Sequence, residues 1–80
     1  MGEAVKIDQK LNLKGEVCPY TFVNTKLALE DMECGQVLCV TVDHAPAVTN
    51  VPRSLANEGH EVIAVVKVND TDWTITVRKG

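Results

Sequence analysis

Eighty residues, 45% of them apolar, with a net charge of −3 and an isoelectric point near 5.2, describe one small soluble domain, residues 1–80, with a thin core. The acidic balance excludes non-specific nucleic-acid binding, which needs a basic face. No apolar run approaches the length that crosses a bilayer, so no membrane partner is expected.

Met1-Gly2-Glu3 opens no signal-peptide pattern, and Lys6 stands where a myristoylation motif needs Ser or Thr. The three cysteines, Cys18, Cys34 and Cys39, are odd in number and form no Cys-x-x-Cys pair. That spacing argues against a disulfide framework, a zinc ribbon or thioredoxin-type chemistry, and for a reducing cytoplasmic compartment.

Val5, Ile7, Leu11 and Leu13 share one parity and predict a first strand over Val5 to Leu13, ended by Gly15. A helix is expected from about Pro19 to about Glu33. Phe22, Thr25, Ala28, Leu29 and Met32 gather on its buried side, and Val23 and Leu27 on the opposite one. Gly35 terminates it. Gln36 to Asp43 reads as a second strand with Leu38, Val40 and Val42 toward the helices and Cys39 turned away.

Pro46 can open a helix, whereas Pro52 would interrupt one. A short irregular turn to about Val51 is therefore expected, then a helix that Pro52 starts and Glu58-Gly59 ends. Glu61 to Val68 and Trp73 to Arg78 form an antiparallel hairpin around the turn Asn69-Asp70-Thr71-Asp72. The order βαβαββ implies an α+β fold. It is a two-layer α/β sandwich with a four-stranded mixed sheet, both helices on one face, and right-handed crossovers between parallel neighbours.

Cys18-Pro19 is the chemically distinctive pair. Proline favours the first helical position, and the residue before a proline is pushed to extended geometry, so Cys18 is expected as a helix N-cap. A thiol there meets free N–H groups and the positive end of the helix dipole, both of which favour the nucleophilic thiolate. Cys34 in a turn and Cys39 within a strand are read as structural or incidental. His44 is read as a turn residue, since a metal site would want more ligands nearby. His60 is read as a packed ring or a helix C-terminal charge partner. Lys14 and Arg53 are read as surface charge, and Trp73 as core. No metal and no cofactor are expected.

Leu11-Asn12-Leu13-Lys14-Gly15-Glu16-Val17-Cys18-Pro19 resembles the N-terminal signature of the TusA-like (SirA-like) sulfur carriers. The likeness continues through Met32-Glu33-Cys34-Gly35-Gln36, Val42-Asp43-His44, Val51-Pro52 and Gly59-His60. The resemblance implies the same βαβαββ sandwich and a cytoplasmic sulfurtransferase-type carrier. Its Cys18 would accept sulfane sulfur as a persulfide from a cysteine desulfurase or rhodanese-type donor. The sulfur would then pass to a downstream acceptor protein, in tRNA thiolation, cofactor sulfuration or other sulfur metabolism.

Gly15, Pro19, Tyr20 and Thr21 are the residues expected to support the thiolate. The chain departs from the common Cys-Pro-x-Pro motif, having Thr21 at the last place, and has Asn12 where an acidic residue is frequent. Thr21 retains an N–H that a proline lacks, which predicts an additional donor for the Cys18 sulfur and a lower thiol pKa. A monomer is expected, because a carrier must expose Cys18 to successive partners. Two other readings stand beside the carrier: a non-catalytic interaction or regulatory domain docking through Val23 and Leu27, and a thiol redox sensor.

Overall fold

A computed structural model describes residues 7–17 and 20–80. Four strands and two helices follow in the order β1 (Gln9–Asn12), α1 (Tyr20–Glu30), β2 (Val37–Val42), α2 (Ala45–Asn57), β3 (Glu61–Lys67) and β4 (Trp73–Arg78). The sheet order is β1-β2-β4-β3. β1 runs parallel to β2, with Leu11 opposite Val40. β4 runs antiparallel to both β2 and β3, with Ile75 opposite Val40 on one side and Val65 on the other.

Alternation places the core. Leu38, Val40 and Val42 of β2 and Ile75 and Val77 of β4 are buried together with Leu29 and Met32 from the first helical segment and Ala47, Val51 and Leu55 from α2. Residues two apart on a strand share a face, so this set lies on one side of the sheet and both helices cover it. Cys39 and Thr41, of the other parity, are half-buried on the uncovered side. The α+β sandwich and its mixed sheet are as the residue pattern predicts.

Four local expectations are corrected. Val5 lies outside the described residues; Ile7 is exposed and precedes the strand, and β1 shrinks to Gln9–Asn12. Leu13, past the strand, is nevertheless buried, because its N–H continues the ladder to the Thr41 carbonyl at 2.8 Å. α1 ends at Glu30 rather than near Glu33. The next N–H groups bond three residues back, Asp31 to Ala28 and Met32 to Leu29, a tightening common in a last turn. Met32 thereby stays in the core outside the helix. On α1 itself the fully buried residues are Thr21, Thr25 and Leu29, while Phe22 sits at the margin. The Thr25 hydroxyl donates to the Thr21 carbonyl at 2.7 Å, which satisfies a buried polar group within the helix.

The third correction is Pro52, which does not start α2 but lies inside it. Its missing N–H leaves the Val48 carbonyl without its helical donor, at a cost of up to about 3 kcal/mol. Ala47 and Val51 before it and Leu55 after it are wholly buried on the sheet at a spacing of four. Burying a Val or Leu side chain contributes about 1.5–3 kcal/mol each, so tertiary packing outweighs the local penalty and the helix continues. It ends in a Schellman arrangement. The His60 N–H reaches the Leu55 carbonyl and the Gly59 N–H the Ala56 carbonyl, both at 3.1 Å, around Gly59 at φ +95°.

The fourth correction is topological. β2 and β3 are parallel but not adjacent, since β4 lies between them. The 69–72 turn pairs β4 with β3, and the wholly buried Ile75 and Val77 require a neighbour on both sides. β3 takes the edge, where Val65 and Val66 are exposed.

Candidate functional site

β1 and β2 are parallel, and each leads directly into a helix. The N-termini of α1 and α2, and hence the positive ends of both dipoles, therefore lie toward the same end of the sheet. Residues 13–17, which lead to Cys18, leave β1 at that end and are tied down at three successive residues, Lys14, Gly15 and Glu16. The Asn12 side-chain oxygen accepts the Lys14 N–H at 3.0 Å. The Gly15 N–H donates to Asp43 Oδ1 at 2.9 Å, with Gly15 at φ +92°, a conformation that disfavours a Cβ. The Glu16 N–H returns to the Leu13 carbonyl at 3.1 Å.

The same loop is held from a third direction. Lys14 Nζ lies 3.0 Å from Asp72 Oδ2. Asp72 belongs to the β3–β4 turn, whose Asn69 side-chain oxygen accepts the N–H groups of Thr71 and Asp72, both at 2.9 Å. Asn69 Nδ2 and the Thr71 hydroxyl donate to the Asp72 carboxylate at 3.1 and 3.0 Å. The Lys14 hydrogen bond, followed by that of Asn69, holds the Asp72 carboxyl below its ordinary pKa against the opposing effect of burial; the Thr71 bond and the Lys14 charge add to the lowering.

On the far side of the cysteine, the Val17 carbonyl accepts the N–H groups of Tyr20 at 2.8 Å and Thr21 at 3.3 Å. Helical hydrogen bonding thus begins on Val17, one residue before the expected cap. Cys18 and Pro19 lie outside the described residues, so the expected N-cap thiol is an inference from sequence. Of the residues expected to support it, Gly15 is in the anchored turn, Tyr20 is exposed, and Thr21 is wholly buried in the core.

The remaining sequence candidates are scattered. Cys34 is exposed in the turn before β2, with its Sγ 3.4 Å from the Gly80 carbonyl oxygen, and Cys39 is mid-strand. The His44 backbone caps α2 without a side-chain hydrogen bond. His60 Nδ1 accepts the Gly80 N–H at 3.1 Å, so its ring serves the turn after α2. Trp73 is half-buried against the core, with Lys67 Nζ 5.7 Å from its ring centre. Among the described residues, no group of three or more His, Cys, Asp or Glu side chains could hold a metal ion, and no helix is long and apolar enough to cross a membrane.

Sequence reasoning missed Asp43 and Asp72 as anchors of the loop and left Lys14 as surface charge. The one available signal was the Asn69–Asp72 turn chemistry. Nothing local told which distant side chain that turn would meet.

Residues 9–79 match the family described as sulfurtransferase TusA. Among curated relatives, one from Archaeoglobus fulgidus is 49% identical over 75 residues, covering 94% of this chain and 85% of its own. One from Thermotoga maritima is 33% identical over 73 residues, covering 91% and 92%. The Escherichia coli protein TsuB is 34% identical over 72 residues, covering 90% and 96%. All three carry the name "Putative sulfur carrier protein". The crystal structure of a SirA-like protein from Desulfitobacterium hafniense superposes with a TM-score of 0.80 over 90% of this chain and 97% of that one, at 23% identity, which is a likeness of fold.

Proposed function

The chain belongs to the sulfurtransferase TusA family, and from that premise we propose that it is a sulfur carrier that takes up sulfane sulfur on Cys18 and hands it to a partner protein. The Cys18 thiolate attacks the outer sulfur of a donor persulfide, R–S–SH. The bond from Cys18 to that sulfur forms, the donor S–S bond breaks, and the donor leaves as the thiolate R–S⁻, with Cys18 now bearing –S–SH. The sulfur keeps its oxidation state, so no external oxidant or reductant enters. Repetition with an acceptor thiolate unloads the carrier.

The observation that supports this reading best is the anchored approach to Cys18. Asp43 and Asp72 hold Gly15 and Lys14, and the first helical bonds close on Val17. We infer that a thiol carried between these points meets the positive ends of the helix dipoles, a setting that favours thiolate. Exchange at sulfur needs only that thiolate and access for the partner's sulfur. The residues proposed to sustain it are Gly15, Pro19, Tyr20 and Thr21. The donor we propose is a cysteine desulfurase or rhodanese-type protein and the carrier a cytoplasmic monomer. tRNA thiolation, cofactor sulfuration and other sulfur metabolism are the processes such a relay would serve.

Intact-protein mass spectrometry after incubation with polysulfide tests this, with Cys18→Ser beside the wild type. Gain of one sulfur on the wild type, absent from the variant and reversed by dithiothreitol, is the expected result. No gain, with Cys18 accessible to alkylation, overturns the carrier reading and favours the redox sensor or interaction domain.

A further inference from the structure

The outward side of the first helical segment is not needed by the fold. Thr21, Thr25, Leu29 and Met32 are buried at helical spacing. The opposite positions, Tyr20 (61% exposed), Val23 (44%) and Leu27 (54%), form an apolar stripe that begins two residues after Cys18. At about 1.5 Å rise per residue, it continues into Glu30 and Asp31 about 15 Å further along. Both acids are exposed.

These two acids stand where they oppose folding. The C-terminal end of a helix is its negative end, and an acid there costs stability where a Lys or Arg would add it. The last turn of α1 holds no basic residue. Lys26, on the preceding turn, is committed to Glu58 at 3.7 Å. Lys79 caps the Met32 carbonyl at 2.5 Å rather than either carboxylate. Neither Glu30 nor Asp31 has an ion-pair partner among the described residues.

We propose that Tyr20, Val23 and Leu27, with Glu30 and Asp31 at the far end, form the docking face for the sulfur-donating protein, which covers the stripe with an apolar patch and meets the acids with Lys or Arg side chains. This rests on the carrier reading and specifies the partner it requires. The layout suits transfer: the apolar end adjoins Cys18 in the chain, where water must be displaced for sulfur exchange, and the charged end lies a helix length away. Charge at the rim speeds encounter and fixes orientation, while apolar burial next to the reacting thiol slows departure.

The test compares two routes of loading on Cys18, by intact mass with time. One is polysulfide, which needs no docking. The other is protein donors, a cysteine desulfurase with cysteine and a rhodanese with thiosulfate. The variants are Leu27→Asp and the pair Glu30→Lys with Asp31→Lys, all at exposed positions, with circular dichroism to show the fold is kept.

Polysulfide loads all of them equally. Loading by the protein donor falls about tenfold or more in Leu27→Asp. In the charge-reversed pair it falls at low salt and loses its dependence on ionic strength. Equal protein-donor rates in wild type and variants overturn the docking face, as does a wild type that polysulfide loads but neither donor loads. Failure of polysulfide itself is the separate outcome that removes the carrier reading.

Discussion

Replacing Pro52 by alanine tests the balance that keeps α2 whole. The wild-type helix lacks the hydrogen bond from residue 52 to the Val48 carbonyl, and its interior proline costs up to about 3 kcal/mol relative to alanine. Pro52 is half-buried, so removing two ring methylenes gives back part of that, at about 0.8 kcal/mol per fully buried methylene. The difference is a net stabilisation of about 1–2 kcal/mol. For a chain of this size each kcal/mol raises the melting temperature by about 4–8 °C. Urea unfolding followed by circular dichroism reads the free energy, with the denaturant slope checked for constancy, and a thermal melt reads the temperature. Leu55→Ala provides the opposing arm. Leu55 is wholly buried, and its truncation costs about 2–5 kcal/mol. A Pro52→Ala variant that is less stable than the wild type would refute the reasoning, because it would mean that the helix depends on the proline rather than tolerating it.

Two further outcomes follow from the loop. The lowered pKa of Asp72 means that its contribution to stability is present above the unfolded-state value near pH 4 and is lost as pH falls through the lower folded value. Urea midpoints measured from neutral pH to about pH 3 should therefore fall less steeply in Asp72→Asn than in the wild type, and parallel curves would remove the Lys14–Asp72 bridge as a source of acid sensitivity. In Thr21→Pro the long N–H bond to Val17, which can be shared with a second acceptor as is common at helix ends, is lost. The Cys18 thiol pKa, followed by thiolate absorbance, is expected to rise; an equal or lower value would show that Thr21 gives the sulfur nothing.

What was readable from the residues alone was whatever depends on short-range pattern. Alternating Leu38, Val40 and Val42, and Trp73, Ile75 and Val77, specify strand faces because successive side chains on a strand point to opposite sides. The turn residues Asn69 to Asp72 specify the hairpin through their own side-chain acceptors. Cys18-Pro19 raises the expectation of an N-cap thiol through the geometry that a proline imposes on its neighbour, an expectation that falls outside the described residues. The exposed pair Val23 and Leu27 followed from helical spacing in the same way.

Tertiary structure decided what depends on partners distant in sequence. Pro52 remains helical only because Ala47, Val51 and Leu55 find the sheet. Thr21, expected only as a donor to the Cys18 sulfur, is also part of the core because the start of α1 packs onto the sheet. β4 separates β2 from β3 because it pairs antiparallel with β2 along one edge and with β3 along the other. The loop before Cys18 is anchored because carboxylates 28 residues away (Gly15 to Asp43) and in the last turn of the sheet (Lys14 to Asp72) reach it. Local pattern fixes backbone preference residue by residue, whereas the energy of burial and of a buried hydrogen-bonded carboxylate exists only once the chain has brought the two partners together.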